Sequence, residues 1–272
     1  MTARHGIIGW PLGHTLSPAL HNWGFTSLGL DATYEAWPTK PDGLADFVAR
    51  VRAQSIRGVS VTIPHKRAVM PLLDRLTERA RAVGAVNTLY WEDGLLCGEN
   101  TDVTGVAAPL RTMDALPGTA LVLGAGGAAR AAVAALRELG VPEILVANRT
   151  PDKARDLARQ LSARAVAWEA RMDQGAGLVC NTTPLGMTGD MIDATPWDAL
   201  RFTPGMIAYD IVYNPLRTRF LREAEAAGCI TVSGLEMFLH QGLAQFRLWT
   251  GRDLEEAGAR ALLLERLAES PH

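Results

Sequence analysis

The stretch Thr119-Ala-Leu-Val-Leu-Gly-Ala-Gly-Gly-Ala-Ala-Arg130 constrains this chain more than any other, because it obliges a strand to end in a tight turn with a helix starting directly behind it. An apolar run feeds into Gly124-Ala125-Gly126-Gly127-Ala128-Ala129, which satisfies the pattern G-x-G-x-x-G/A. Gly124 permits the turn, Gly126 lets the backbone approach a pyrophosphate, and Ala129 is small enough for the helix to pack close to the sheet. The Ala-rich helix runs through Leu139, stops at Gly140 ahead of Pro142, and hands over to a second strand, Glu143–Ala147. This is a βαβ unit that sets a dinucleotide's phosphates on a helix N-terminus. In a chain with 26 glycines the alternative is a glycine turn without a ligand, and the flanking strand and helix favour the dinucleotide.

Which dinucleotide depends on the tip of that second strand. An NAD site places an acid there to accept from the ribose 2′-hydroxyl. Here the tip reads Asn148-Arg149-Thr150-Pro151-Asp152-Lys153, a set of donors. Arg149 can pair bidentately with a 2′-phosphate, Thr150 and Lys153 add donors, and Arg130 is a further candidate. The chemistry points to NADP. A helix cap flanked by solvated cations is the bland alternative.

With 272 residues and 48% hydrophobic content, the chain can bury the cores of two domains. A net charge of -2 gives no electrostatic reason to expect nucleic acid or an anionic membrane. No apolar run reaches ~18 residues and the N-terminus has no signal-peptide pattern, so the cytoplasm is the expected location. Cys97, Cys180 and Cys229 are far apart and lack ligand spacing, so neither a metal site nor a disulfide framework is expected. The basic residues are 24 arginines and only three lysines, Lys40, Lys66 and Lys153. A Lys inside a motif then suggests chemistry that the permanently charged Arg cannot do.

The glycine turn leaves about 118 residues ahead of it for another domain. There His5–Gly9, Ala32–Trp37 and Ile56–Ile63 read as strands alternating with helices, which implies a parallel sheet. Ser17 with Pro18 reads as an N-cap and first turn. Residues 86–98 read as a hairpin turning at Asp93-Gly94, and Asp102–Met113 as a connecting helix broken by Pro109. Helices at Glu236–Trp249 and Leu254–Ala268 close the chain and are candidates to pack back on the first domain. The expected boundaries are residues 1–103, completed by 236–272, for a substrate domain and 104–235 for a cofactor domain. A hydride-transfer site needs a group to handle a proton near the strand ends. Lys66, one turn into a helix after a strand, and Asp102, at the start of the connecting helix, meet that need.

Eight ordered motifs resemble the shikimate dehydrogenase family. They are Gly13–Pro18, Val59–Lys66, Gly84–Thr88, Asn100–Asp102, the glycine loop with Asn148–Thr150, Asn181–Met187, Tyr209–Pro215, and Gly234–Met237 through Gln241-Gly242. The resemblance implies two α/β domains, an N-terminal substrate domain and a Rossmann-type NADP-binding domain, with a cleft between them. It also implies NADPH-dependent reduction of 3-dehydroshikimate to shikimate, on the route to chorismate and aromatic amino acids. Lys66 and Asp102 are then the catalytic pair, and Thr15, Ser17 and Tyr213 hold the substrate carboxylate. Thr62, Asn87 and Gln241 read its hydroxyls, which suits a small polyhydroxylated acid. The glycine loop, Arg130, Asn148–Thr150, Lys153, Thr183, Met187, Ile211, Gly234 and Met237 surround the cofactor. The partner implied is that small molecule, with a homodimer as an option.

Two positions depart from the commonest family pattern: Thr15 replaces a Ser, and Ser60 stands where many members have Asn. Both bear on shikimate against the bulkier quinate. Mixed shikimate and quinate use is therefore the alternative reading, and a non-catalytic NADP-binding protein the more distant one.

Overall fold

The hairpin at Asp93-Gly94 decides the architecture of the first half of the chain, as a computed structural model describing residues 2–13, 15–54 and 56–269 makes clear. His14 of the Gly13–Pro18 motif and the end of the expected substrate domain, residues 270–272, lie outside the described residues. The chain separates into two compact units: one holds the residues through Thr101 together with Gln241–Glu269, the other Asp102–His240.

In the first unit the elements are β1 (Ala3–Gly9), α1 (Ser17–Ser27), β2 (Ala32–Pro38), α2 (Leu44–Ala53), β3 (Gly58–Val61), α3 (His65–Ala68), β4 (Arg75–Leu76), α4 (Glu78–Val83), β5 (Thr88–Glu92) and β6 (Leu95–Glu99). The sheet order is β2-β1-β3-β5-β6-β4. β1 lies parallel to β2 and β3, with Ile8 level with Trp37 and Val61. The sheet is not parallel throughout, as the alternation implied, because β5 runs antiparallel to β3 and to β6. A two-residue turn cannot make the crossover that parallel neighbours need. Asp93 and Gly94 both have positive φ, 53° and 77°, as such a turn requires.

The second unit contains α5 (Asp102–Arg111), β7 (Thr119–Leu123), α6 (Gly127–Glu138), β8 (Glu143–Ala147), α7 (Pro151–Gln160), β9 (Arg164–Val166), β10 (Leu178–Asn181), β11 (Ile207–Asp210), α8 (Arg219–Ala226) and β12 (Ile230–Val232). Its order β12-β11-β10-β7-β8-β9 is parallel throughout. The chain winds one way from β7 and the other way from β10, so the two strands flank a topological switch point, where doubly wound sheets bind ligands. Helix α9 (Gly234–Thr250) runs from the second unit into the first, and α10 (Glu256–Glu269) follows. The unit boundaries thus fall at 101/102 and 240/241, a few residues from the expected 103/104 and 235/236.

Both faces of the first sheet are covered. Ile8, Val59, Val61 and Leu89 pack with Phe47, Val48 and Val51 of α2 on one side. On the other, Ile7 and Tyr34 pack with Phe25 of α1, Phe246 of α9 and Leu254. The second unit's core gathers Leu121, Leu145, Val179 and Ala208 with Phe220 and Leu221 of α8.

Two local expectations change. Pro109 does not break α5, which continues to Arg111. The proline removes the N–H that would bond the Gly105 carbonyl one turn back, and the Tyr209 hydroxyl donates to that carbonyl instead, at 3.4 Å. Ser17 is not the cap of α1: Leu16 holds that position, and the Ser17 N–H donates to Thr15 Oγ1 at 3.2 Å. The helix therefore places no demand on the Ser17 hydroxyl as a cap.

Candidate active site

The turn after β7 is built for close approach. Gly124 has φ 117°, and a Cβ there would lie 2.5 Å from Thr182 Oγ1 at the end of β10. Any larger residue would be strained in backbone and blocked in space. At Gly126, the N-cap of α6, a Cβ would meet nothing within 4 Å. That open side, together with a first helical turn that has no acidic residue and no side-chain cap, leaves α6 N–H groups facing an uncrowded position. These features fit the pyrophosphate of a dinucleotide.

At the tip of β8, Arg149 and Thr150 are exposed and Asn148 is half-buried, its Nδ2 donating to the Thr150 carbonyl at 3.0 Å. Thr150 caps α7 without its hydroxyl, and Lys153 is exposed in the first turn. Arg149, Thr150 and Lys153 therefore form one donor cluster suited to a 2′-phosphate. Arg130 does not join it. Its guanidinium is buried and donates to Gln160, at the far end of α7, about 15 Å along the axis from Thr150 for a helix of this length.

The ends of β10 and β11 are tied by a carboxylate that sequence reasoning passed over. Asp210 is fully buried and accepts from Asn181 Nδ2 at 2.9 Å, Thr218 Oγ1 at 2.6 Å and the Val212 N–H at 3.0 Å. Burial pushes its pKa up to about 7, against the pull of those three donors. Asn181 in turn accepts from the Thr183 hydroxyl at 2.6 Å, and its carbonyl accepts from the Ile211 N–H at 3.0 Å. Gly234 lies against this strand end: a Cβ there would meet the Ile211 carbonyl oxygen at 2.4 Å. Thr183, Ile211 and Gly234 are thereby drawn together, with Met237 buried on α9 and Met187 exposed.

In the first unit, Thr15 Oγ1 and Ser17 Oγ lie 3.2 Å apart. Thr62 follows β3, and its N–H donates to the Ile8 carbonyl at 2.9 Å. Helix α3 is only four residues long, too short to hold itself, and is pinned by the buried His65, whose Nε2 meets the Thr39 carbonyl at 2.7 Å. A carbonyl only accepts, so Nε2 carries the proton. Lys66 follows, half-buried, while Lys40 and Lys153 are exposed. The Lys66 carbonyl accepts from the Val86 N–H at 2.7 Å, which fixes its backbone beside Asn87. Asn87 is buried and paired with Thr101, whose N–H donates to Asn87 Oδ1 at 2.7 Å.

The next residue, Asp102, buried at the head of α5, opens the second unit. Tyr213 also belongs to the second unit, its ring 4.9 Å from that of Phe238 and its phenol pushed to higher pKa by burial. Gln241 lies on α9, one residue past the unit boundary. The structure thus gathers Thr62, Lys66 and Asn87 around β3 and the start of β5.

Residues 7–89 match the shikimate dehydrogenase substrate binding domain, 111–173 the shikimate / quinate 5-dehydrogenase family, and 234–264 the shikimate 5′-dehydrogenase C-terminal domain. The shikimate dehydrogenase (NADP(+)) of Oleidesulfovibrio alaskensis is 53% identical over 97% of this chain and 95% of its own length. The shikimate 5-dehydrogenase of Thermus thermophilus, solved with NADP(H) and shikimate, is 42% identical, covering 97% of this chain and 99% of that one with a TM-score of 0.87. The quinate dehydrogenase of Corynebacterium glutamicum, solved with NAD, shares the fold at a TM-score of 0.90 over 97% of this chain and 99% of its own, but only 30% of its residues. With a shared fold, matching domain models and identity above half across nearly its whole length, the chain belongs to the shikimate dehydrogenase family.

Proposed function

We propose that Lys66 and Asp102 handle the proton as this chain interconverts 3-dehydroshikimate and shikimate. The activity is that of an NADP-dependent oxidoreductase in the biosynthesis of chorismate and the aromatic amino acids. The residue assignment rests on one observation: Lys66, the single lysine that is not exposed, is locked by its own carbonyl next to the buried Asn87–Thr101 pair, which Asp102 directly follows.

NADPH, held by the glycine loop and the Arg149–Lys153 tip, supplies the hydride when bound. As the substrate's carbonyl oxygen gains charge, the Lys66 ammonium donates a proton to it and is later reprotonated from solvent. The Asp102 carboxylate orients that ammonium and accepts from a ring hydroxyl. Thr15 and Ser17 donate to the substrate carboxylate with Tyr213, and Thr62, Asn87 and Gln241 read hydroxyls. Neutral donors fixed in buried surroundings discriminate because a missing partner leaves them unpaired.

Steady-state rates with shikimate and quinate, each with NADP and NAD, test the reading. Shikimate with NADP is expected to give the highest kcat/KM, and a preference for quinate or NAD would overturn it. Lys66→Ala is expected to lower kcat by a factor on the order of 100 or more with a smaller change in KM, since its proton matters most in the transition state.

A further inference from the structure

Ser60 is 5% exposed and its hydroxyl is already committed on both sides, accepting from Tyr34 Oη at 2.6 Å and donating to Gln245 Oε1 at 2.8 Å. Its one proton is taken by Gln245, so it does not donate to a substrate. The side chain it holds, Gln245 of α9, is 1% exposed and reaches back to the segment that carries Asn87. Gln245 Nε2 donates to the Asn87 carbonyl at 3.1 Å and to Thr88 Oγ1 at 2.9 Å.

The direction of the Gln245 bonds follows from chemistry. The Asn87 carbonyl can only accept, so the Gln245 amide must face it with nitrogen, and its oxygen must face Ser60. The Thr88 hydroxyl accepts from Gln245 and donates to Asn87 Oδ1, at 2.8 Å. The Thr101 N–H donates to the same oxygen at 2.7 Å, and Asn87 Nδ2 is turned toward Thr101 Oγ1 at 2.9 Å. The Thr101 N–H makes that end of the Asn87 amide the acceptor, and the relay from Tyr34 through Ser60, Gln245 and Thr88 brings a second donor to the same oxygen and holds the amide in that orientation.

We infer that Gln245 is a positioning residue for substrate specificity, acting through Thr88 and the Asn87 backbone to fix the orientation in which the Asn87 amide meets a ring hydroxyl. The inference rests on the reading of Asn87 as a hydroxyl ligand. An amide held from both its backbone and its side chain cannot flip to suit a ligand of opposite polarity without breaking a buried bond. Selectivity at this position is then carried by α9, a segment about 158 residues away in sequence from Asn87.

Calorimetric titration of shikimate and of NADP into the intact protein tests this, since binding needs no turnover. Gln245→Leu is expected to weaken shikimate about tenfold while NADP affinity stays within about twofold, the scale of a misplaced buried hydrogen-bond ligand. Thr88→Val, which removes one hydroxyl at constant shape, is expected to act in the same direction and more weakly, and decides the matter if Gln245→Leu does not fold. In an Asn87→Ala background, Gln245→Leu is expected to add less than about twofold, because its effect is routed through Asn87. A lowered melting temperature with unchanged shikimate affinity, or a full additional loss in the Asn87→Ala background, overturns the inference. Unchanged shikimate affinity in Asn87→Ala alone instead removes Asn87 from the site, and the premise with it.

Discussion

The Tyr209 hydroxyl donates to the Gly105 carbonyl at 3.4 Å, across 104 residues of sequence, and that carbonyl is the one Pro109 leaves without a helical partner. Tyr209 is fully buried, and burial drives its phenol well above its ordinary pKa, so it remains a donor. The bond ties the centre of β11 to the helix that begins with Asp102.

Tyr209→Phe is expected to cost about 1 kcal/mol, the net worth of one buried hydrogen bond, read as a lowered denaturation midpoint. In a Pro109→Ala background the cost should shrink, because the substituted residue regains a backbone N–H that serves Gly105. Equal costs in both backgrounds would show that Tyr209 contributes through packing alone.

Arg149 stands exposed at the β8 tip with Thr150 and Lys153. Arg149→Ala is expected to weaken NADP by about tenfold or more, the value of a charge-assisted bidentate pair, and to leave NAD nearly unchanged. Fluorescence titration with both cofactors separates this from a general defect, in which the two would weaken alike.

The first unit should be sensitive to acid. His5 and His21 are buried among aromatic rings, with His5 4.9 Å from Phe25 and His21 stacked 4.5 Å from Tyr34. Burial pushes His5 down to about 4 and His21 down to about 3, helped at His21 by the neighbouring His5. Both are neutral in the fold and would charge on unfolding below about pH 6.5. Their contribution is therefore complete above that pH and lost as pH falls, by up to about 1.4 kcal/mol per pH unit for each ring. Melting curves from pH 7 to 4 should show this slope, and His21→Phe should flatten it. A variant as acid-sensitive as the parent would place the effect elsewhere.

Asp210 has the opposite sign. Its folded pKa is raised to about 7, so protonation favours the fold, and the contribution present below pH 4 is lost as pH rises through 7. Asp210→Asn keeps an acceptor for Asn181 and Val212 and should remove that loss. Hydrogen exchange in β10 and β11, followed from pH 5 to 8, should become less pH-dependent in the variant; an unchanged profile counts against Asp210 as the titrating group.

The sites legible in sequence were those that local chemistry specifies. The glycine loop, the donor tip at Arg149 and the hairpin at Asp93-Gly94 each follow from turn geometry and donor type within a few residues. Lys66 stood out because lysine is rare here and its motif sits at a strand end. Gln245 was missed although it lies one helical turn beyond Gln241, because i,i+4 spacing shows a shared face but not what that face meets. Asp210 looked like any strand-end acid. Only the pairing of β10 with β11 brings Asn181 level with it and closes it off from water.

The sequence by itself determined the βαβ unit, the preference for NADP and the α/β class, because backbone freedom at glycine, fixed charge at arginine and hydrophobic periodicity are local properties. Tertiary structure alone decided that the first sheet is mixed, that α5 survives Pro109, that Arg130 turns to Gln160, and that Ser60 serves Gln245. Each of these depends on which buried donor finds which acceptor across a long stretch of chain. That pairing is settled only when packing excludes water and every buried polar group must be matched.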